Sequence, residues 1–472
     1  MKTHTVLLAA ILSATAPFQL SAALYWDSNG NTTSGAGATP VGTWGTSTFW
    51  NADMDGLGAV ATTGWTSGET AVFSAGIDAT GPFTVTVSGT QTAAGIVVQE
   101  GTVTLAVGTA SLGAGPVTIN SGATLSTDSS LRVSTSAGSI WTLDGGTARS
   151  TNGAAAGSFI DIDSTISLTA NGGTLSHTVA GILNIVQATT IISGPGSLTK
   201  TGAGVLAIAS PSTYGGTTTI NDGELRIRTT ANRLPIATAV TVTSPGILNL
   251  NGVSQQIGSL SGDGLVGLGS ATLTVGNATG TTFSGSIRDT ANAGAAGTTS
   301  VGGKVTKVGA GMLTLTGANI YTGLTQIDAG SIRLGASERL FNSGALRLNG
   351  GTLDTGGFSE TLGTLDMDNS SIIDFGAGSS ALAFSDSDAQ VWAGLILGIV
   401  NWTPGDDTFR VGLDGVGFDT QLALIRFVDF GNAPAQIDAN GFITPVIVPE
   451  PSSALLCAFA GIGLLSRLRR RA

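Results

Sequence analysis

Two stretches of this chain repeat each other without a gap, and that repeat constrains the fold more than any other feature. Residues 196–227 read GSLTKTGAGVLAIASPSTYGGTTTINDGELRI, and residues 303–334 read GKVTKVGAGMLTLTGANIYTGLTQIDAGSIRL, at an offset of 107. Matched positions include Thr199/Thr306, Lys200/Lys307, Gly202/Gly309, Gly204/Gly311, Leu206/Leu313, Tyr214/Tyr321, Gly223/Gly330 and Arg226/Arg333. A second pair follows each copy. Residues 247–260 read ILNLNGVSQQIGSL and residues 352–365 read TLDTGGFSETLGTL, at an offset of 105. Two linked motifs at nearly one offset imply a duplicated unit of about a hundred residues, and self-similarity at a fixed period marks stacked architectures.

Within the repeat, Leu-Thr-Lys, Val-Leu-Ala-Ile and Thr-Thr-Thr-Ile are short period-2 strands with apolar residues on one face. Gly202-Ala203-Gly204 and Asn221-Asp222-Gly223 supply the positive-φ positions of tight turns between them. Composition agrees. The chain holds 71 Gly among 472 residues, only 10% charged side chains and 41% hydrophobic ones, so it lacks the high charge of a disordered chain. No helix-period segment is evident between Ala23 and Pro451. An antiparallel sandwich would need aromatic-rich cores and division into domains. A continuous, small-residue, quasi-repetitive pattern instead suits coils that pack only on their neighbours. The expected fold is all-β: a right-handed parallel β-helix with capped ends, followed by a short C-terminal transmembrane helix.

The pattern L-T-K-x-G-x-G-x-L-x-[LI], a Tyr-Thr-Gly-like turn and a Gly-[SE]-[IL]-[RK]-[LI] strand resembles the autotransporter-associated β-strand repeat. Tyr321-Thr322-Gly323 matches that turn, whereas Tyr214-Gly215-Gly216 departs from it at the middle position. The resemblance implies a bacterial surface protein. The sequence shows no C-terminal membrane barrel, so self-translocation is not implied.

The ends read as export signals. Met1-Lys2-Thr3-His4 is a cationic lead, the apolar run 6–12 follows, and Ser21-Ala22-Ala23 offers small residues for cleavage after Ala23. A signal peptide over 1–23 implies passage through a Sec translocon. At the other end Val448-Pro449-Glu450-Pro451 precedes an apolar stretch, with a helix expected over about 453–466. Arg467, Arg469, Arg470 and Arg471 close the chain. The stretch is shorter than the ~20 residues of a usual bilayer span, and its basic end favours the cytoplasmic side. Motif, helix and Arg cluster in that order resemble the PEP-CTERM sorting signal of Gram-negative bacteria, over 448–472. That family implies an exosortase-like membrane protease as partner and at least transient membrane anchorage. Between the ends lie an N-terminal β region and cap (24–95), the β-helix (96–381) and a C-terminal β cap (382–447).

Residues 24–450 contain 14 basic and 30 acidic side chains, a formal charge of −16. Such a surface repels phosphate backbones, so nucleic acid is not an expected partner. The one cysteine, Cys457, lies in the C-terminal apolar stretch and permits no internal disulfide. Trp26, Trp44, Trp50 and Trp65 read as a plug over an end coil in preference to a carbohydrate platform. His177 sits in a strand pattern without Gly-x-Ser-x-Gly context, which disfavours a Ser-His-Asp triad. One mature histidine cannot build a zinc site. Acidic pairs Asp161/Asp163, Asp366/Asp368 and Asp386/Asp388, two apart on a strand, would face one side and could hold Ca²⁺ or flank a glycosidic bond. Solvated faces explain them more simply, and Lys200 and Lys307 read as structural. No catalytic, cofactor or metal residue is assigned. The leading functional expectation is a non-catalytic surface or extracellular-matrix structural or adhesion protein. A polysaccharide-binding or polysaccharide-processing β-helix enzyme comes second, with extracellular polysaccharide as its partner. An ice- or glycan-binding face of Thr rows comes last.

Overall fold

The computed structural model describes residues 21–30, 35–57, 60–107, 112–128, 133–135, 138–151, 164–180, 183–186, 190–290 and 301–446. These residues form an all-β chain, 2% helical, wound as a β-solenoid of about 13 turns. One parallel sheet runs the length of the solenoid, from Gly42–Trp44 and Pro82–Val87 through Leu198–Thr201 and Thr218–Ile220 to Ile425–Phe427. Successive partners along it lie 20 residues apart at Thr199/Thr219 and 27 apart at Thr147/Thr174, one coil each time.

Two further faces complete each coil. The strands that precede the long sheet stack from Ala23–Trp26 to Ile191–Ser193, and later from Gln255–Ile257 to Leu365–Asn369. The strands that follow it stack over Leu183–Val186 to Ser286–Arg288, and later over Glu360–Leu362, Ala381–Phe384 and Thr408–Val411. Where a face lacks regular strands, backbone bonds still link the coils. Thr213 N donates to Ile192 O (2.8 Å) and Ile320 N to Ile287 O (2.9 Å).

Period-2 alternation produces this arrangement. In Leu198–Thr201 the side chains of Leu198 and Lys200 point inward, while Thr199 and Thr201 point out. The inward rows Leu198/Thr218/Val240/Leu260 and Lys200/Ile220/Val242 are sealed from solvent. Each fully buried aliphatic side chain contributes roughly 1.5–3 kcal/mol. Because every coil presents the same rows, hydrophobic stabilisation accumulates coil by coil.

The ends of the stack depart from the parallel pattern. At the N-terminal end Trp26 lies antiparallel to Trp50, and the rings of Trp26, Trp44, Trp50 and Phe73 pack edge to face or tilted, with centroids 5.0–6.1 Å apart. Trp26, Trp44 and Trp50 are fully buried and Trp65 is half-buried. At the C-terminal end Ile425–Phe427, Ala433–Ile437 and Phe442–Pro445 form an antiparallel ribbon that returns to Thr408–Val411. Such ribbons leave no long free edge for another chain to join. Asp419–Leu422 is the one α-helix among the described residues, and none of them forms a helix long and apolar enough to cross a membrane. The helix expected over 453–466 lies outside the described residues. So do the signal region 1–20, Val448, Pro449, Glu450, Pro451, Arg467, Arg469, Arg470, Arg471, Cys457 and the pair Asp161/Asp163.

Candidate functional site

The repeat explains its own residues. Lys200 is fully buried, and its Nζ donates to Thr201 O (2.9 Å), Gly202 O (2.6 Å) and Asp222 O (3.0 Å). Lys307 does the same with Val308 O (2.7 Å), Gly309 O (2.8 Å) and Ala329 O (3.3 Å). In each copy an inward lysine ties its own turn to the turn of the next coil. Gly202 and Gly309 take positive φ, 76° and 69°, which turns their carbonyls toward the ammonium. Burial lowers Lys200 to about 8, opposed by the nearby carboxylates Asp222 and Glu224, and burial also lowers Lys307. Tyr214 and Tyr321 point inward too. Tyr214 shares a hydrogen bond with Thr218, and Tyr321 shares one with Thr325 at 2.6 Å. Burial raises both phenols well above the ordinary tyrosine range.

The two copies occupy different faces. Lys200 lies in the long sheet, whereas Lys307 lies in Lys304–Lys307, on the preceding face. The motif therefore specifies a local strand–turn–strand unit, which stands on two different sides of the coil. The second duplicated motif carries a further clamp. Gln255 Oε1 accepts from Leu234 N and its Nε2 donates to Leu234 O, both at 3.1 Å. At the matching position Glu360 accepts from Arg339 N (2.7 Å) and Leu340 N (3.3 Å). Burial pushes Glu360 up to about 8, against the pull of those backbone N–H groups. These residues stand in the matched motifs 247–260 and 352–365, but their roles are invisible there because the acceptor segments lie a coil away.

Among the acidic pairs, Asp366 and Asp368 share strand Leu365–Asn369 and both meet Arg347, at 3.0 and 3.6 Å. Asp386 and Asp388 do not share a strand. They follow Ala381–Phe384 in a turn where Asp388 N donates to Asp386 Oδ1 (3.1 Å). A Ser-Asp-Ser-Asp run favours that side-chain-to-backbone turn over an extended ladder. No group of three His, Cys, Asp or Glu among the described residues could hold a metal ion. His177 ends strand Gly173–His177, buried, with Nδ1 3.3 Å from Ser150 O. Ala23 opens strand Ala23–Trp26 opposite Thr70, whose N–H bonds Ala22 O at 2.9 Å.

The outer side of the long sheet bears Thr rows of the kind the sequence offered. A column of hydroxyls runs Thr102, Thr124, Thr147, Thr174, Thr199, Thr219, Thr241, Ser261, in register coil after coil. It continues in the pair Thr282/Thr314, then turns charged at Arg333, Asp354 and Asp374. The signal was present as recurring Thr-x-Thr or Thr-x-Ser triplets, such as 199–201, 241–243 and 314–316. Beside this column, at the corner leading to the next face, lies a groove of about 620 Å³ lined by Asp263, Ser284, Ser286, Arg288, Leu265 and Ile320, among others. Asp263 and Arg288 are 25 positions apart and only coil stacking joins them.

The family model of the passenger-associated-transport repeat matches this chain twice, over residues 198–227 and 305–334. Those are the two copies whose lysines bind one coil to the next. No curated protein matches the chain, and no solved structure does. Passenger-associated repeats on a β-solenoid fit an exported, surface-exposed, autotransporter-like passenger.

Proposed function

We propose that this protein is a non-catalytic structural or adhesion protein of the Gram-negative cell surface or extracellular matrix. In this reading its solenoid winds right-handed, the sense that parallel strand crossovers favour. A signal peptide cleaved after Ala23 delivers it through the Sec translocon. The PEP-CTERM tail, with Pro449-Glu450-Pro451, a short membrane helix and Arg467, Arg469, Arg470 and Arg471, hands it to an exosortase-like protease. One observation carries the reading: the lysines fixed in the passenger-type repeats, Lys200 and Lys307, tie the turn of one coil to the turn of the next, while Tyr214 and Tyr321 brace their own coil through Thr218 and Thr325. A chain that keeps such groups for cohesion is built to persist as a rod outside the cell.

The test is delivery. The full chain and a variant ending at residue 447 are expressed in a Gram-negative host with an exosortase system, then followed by fractionation and by protease added to intact cells. The full chain is expected to become protease-accessible at the surface, and the shortened one is not expected to be processed at the same site. Identical processing of both chains contradicts the sorting role.

A second reading, a polysaccharide-processing solenoid, is favoured by the Arg347–Asp366–Asp368 cluster, which places two carboxylates beside a guanidinium. Release of unsaturated or reducing ends from alginate, pectin or cellulose by the purified protein supports it. Stable polymer in all three supports the non-catalytic reading.

A further inference from the structure

The groove at the corner of the long sheet crosses four successive coils. Residues 244–247 line the first, 263–265 the second, 284–288 the third and 317–320 the fourth. At about 4.8 Å per coil it is roughly 14 Å long and runs along the solenoid axis. Its volume, about 620 Å³, falls within the range of small-molecule binding clefts. The floor is backbone. A Cβ on Gly285 would lie 1.9 Å from Gly264 O, and one on Gly317 would lie 1.8 Å from Gly285 O, so no side chain can fill the channel from these positions.

The walls carry a specific balance of groups. Arg288 Nε is buried and meets no hydrogen-bond acceptor, an expense of about 1–3 kcal/mol for an unpaired buried donor. Asp263, which lines the same groove, uses Oδ1 to accept from Ser244 N (2.8 Å), which leaves the second carboxylate oxygen as an acceptor. Ser284 and Ser286 donate their hydroxyls to Gly262 O (3.2 Å) and Ala318 O (2.8 Å), which leaves their oxygens free to accept. Ile247, Leu265 and Ile320 supply aliphatic surface between these polar points. The groove thus offers one strong donor, several acceptors and apolar patches, with one positive and one negative charge.

The geometry points to an uncharged, linear, hydroxyl-rich polysaccharide lying along the groove, with Arg288 and Asp263 as its anchoring pair. Sugar hydroxyls both donate and accept, and so satisfy Arg288 and Asp263 together, while C–H faces cover Leu265 and Ile320. A polyanionic chain is disfavoured by the excess of acidic groups over 24–450 and by Asp263 within the groove. The hydroxyl column Thr241/Ser261 adjoins the groove and widens the polar surface the polymer meets. This assignment deepens the surface and matrix reading by naming what the rod holds. Delivery to the surface is measured separately, so either can fail alone.

The test is calorimetric titration of the purified full chain with neutral hexaoses (cello-, manno-, xylo- and laminari-hexaose) and with hexagalacturonate as the charged probe. At least one neutral hexaose is expected to bind. Arg288→Ala is expected to weaken that binding at least tenfold, and Asp263→Asn to weaken it several-fold. Arg288→Lys keeps the charge and loses the planar fork, so it too is expected to weaken binding, with an unchanged melting temperature showing that the fold survives. Absence of binding by all four neutral probes overturns the assignment. Equal binding by Arg288→Lys and the parent overturns it as well, and so does tighter binding of hexagalacturonate than of any neutral hexaose.

Discussion

Replacing Glu360 by Gln tests how this solenoid uses its interior. Glu360 is fully buried on the face that follows the long sheet, and it accepts from two backbone N–H groups of the preceding coil. Its folded-state pKa is raised from 4.5 to about 8 by burial, while the unfolded chain keeps an ordinary glutamate. Below about pH 4.5 both states hold the proton and the group contributes its full share. As pH rises from 4.5 to 8 the unfolded chain releases a proton that the folded chain retains, so stability falls by about 1.4 kcal/mol per unit. At pH 7 the loss is on the order of 3 kcal/mol, and it levels off near 5 kcal/mol above pH 8. Glutamine cannot ionise, and the duplicated position already carries it in Gln255, with the same carbonyl-to-N–H geometry. Glu360→Gln is therefore expected to stabilise the protein at pH 7 and 8 and to change it little at pH 4.5. Urea unfolding of parent and variant across that range reads the difference, and the other carboxylates cancel in it. A difference that stays constant with pH refutes the reasoning. The reciprocal Gln255→Glu is expected to destabilise progressively above pH 4.5.

Further predictions follow from the same contacts. Lys200→Met leaves the half-buried carbonyls of Thr201, Gly202 and Asp222 without this donor and is expected to cost about 1–3 kcal/mol at pH 7 in chemical unfolding. Because the folded lysine releases its proton near pH 8 while the unfolded one holds it to about 10.5, parent stability gains from this group as pH rises between those values. Lys200→Met abolishes that gain. Tyr321→Phe strands Thr325 Oγ1 and is expected to cost about 1 kcal/mol. Tyr214→Phe is expected to cost less, because Thr218 keeps Thr238 Oγ1 at 3.0 Å. Trp50→Ala opens a cavity under the N-terminal cap, about 3–5 kcal/mol. Hydrogen exchange is expected to quicken in strands Ala23–Trp26 and Thr70–Phe73 before it does in Thr325–Ile327.

Much of the solenoid was legible because its rules are local. Period-2 alternation and Gly turns each report on a single coil, the unit that stacks, and the 107-residue offset shows that a run of coils is duplicated. The inward lysine was also readable as structural, since Lys200 shares its strand face with Leu198. What escaped depends on neighbours a coil away. Asp263 and Arg288 have no sequence relation, and Gln255 and Glu360 look like ordinary polar residues until the backbone they cap is placed beside them. The turn at Asp386/Asp388 was misread as strand because the Ser-Asp-Ser-Asp run follows directly on Ala381–Phe384, and only the Asx bond shows where the ladder stops. The hydroxyl column was readable in principle. Its triplets are spread over many coils, so no single stretch of sequence shows the column.

Antibody labelling of intact cells tests the central claim most directly. A passenger-type solenoid delivered to the surface is expected to be labelled on cells that have not been permeabilised, and to be cut there by added protease. Labelling that requires permeabilisation, with the chain intact after protease treatment of whole cells, contradicts the account.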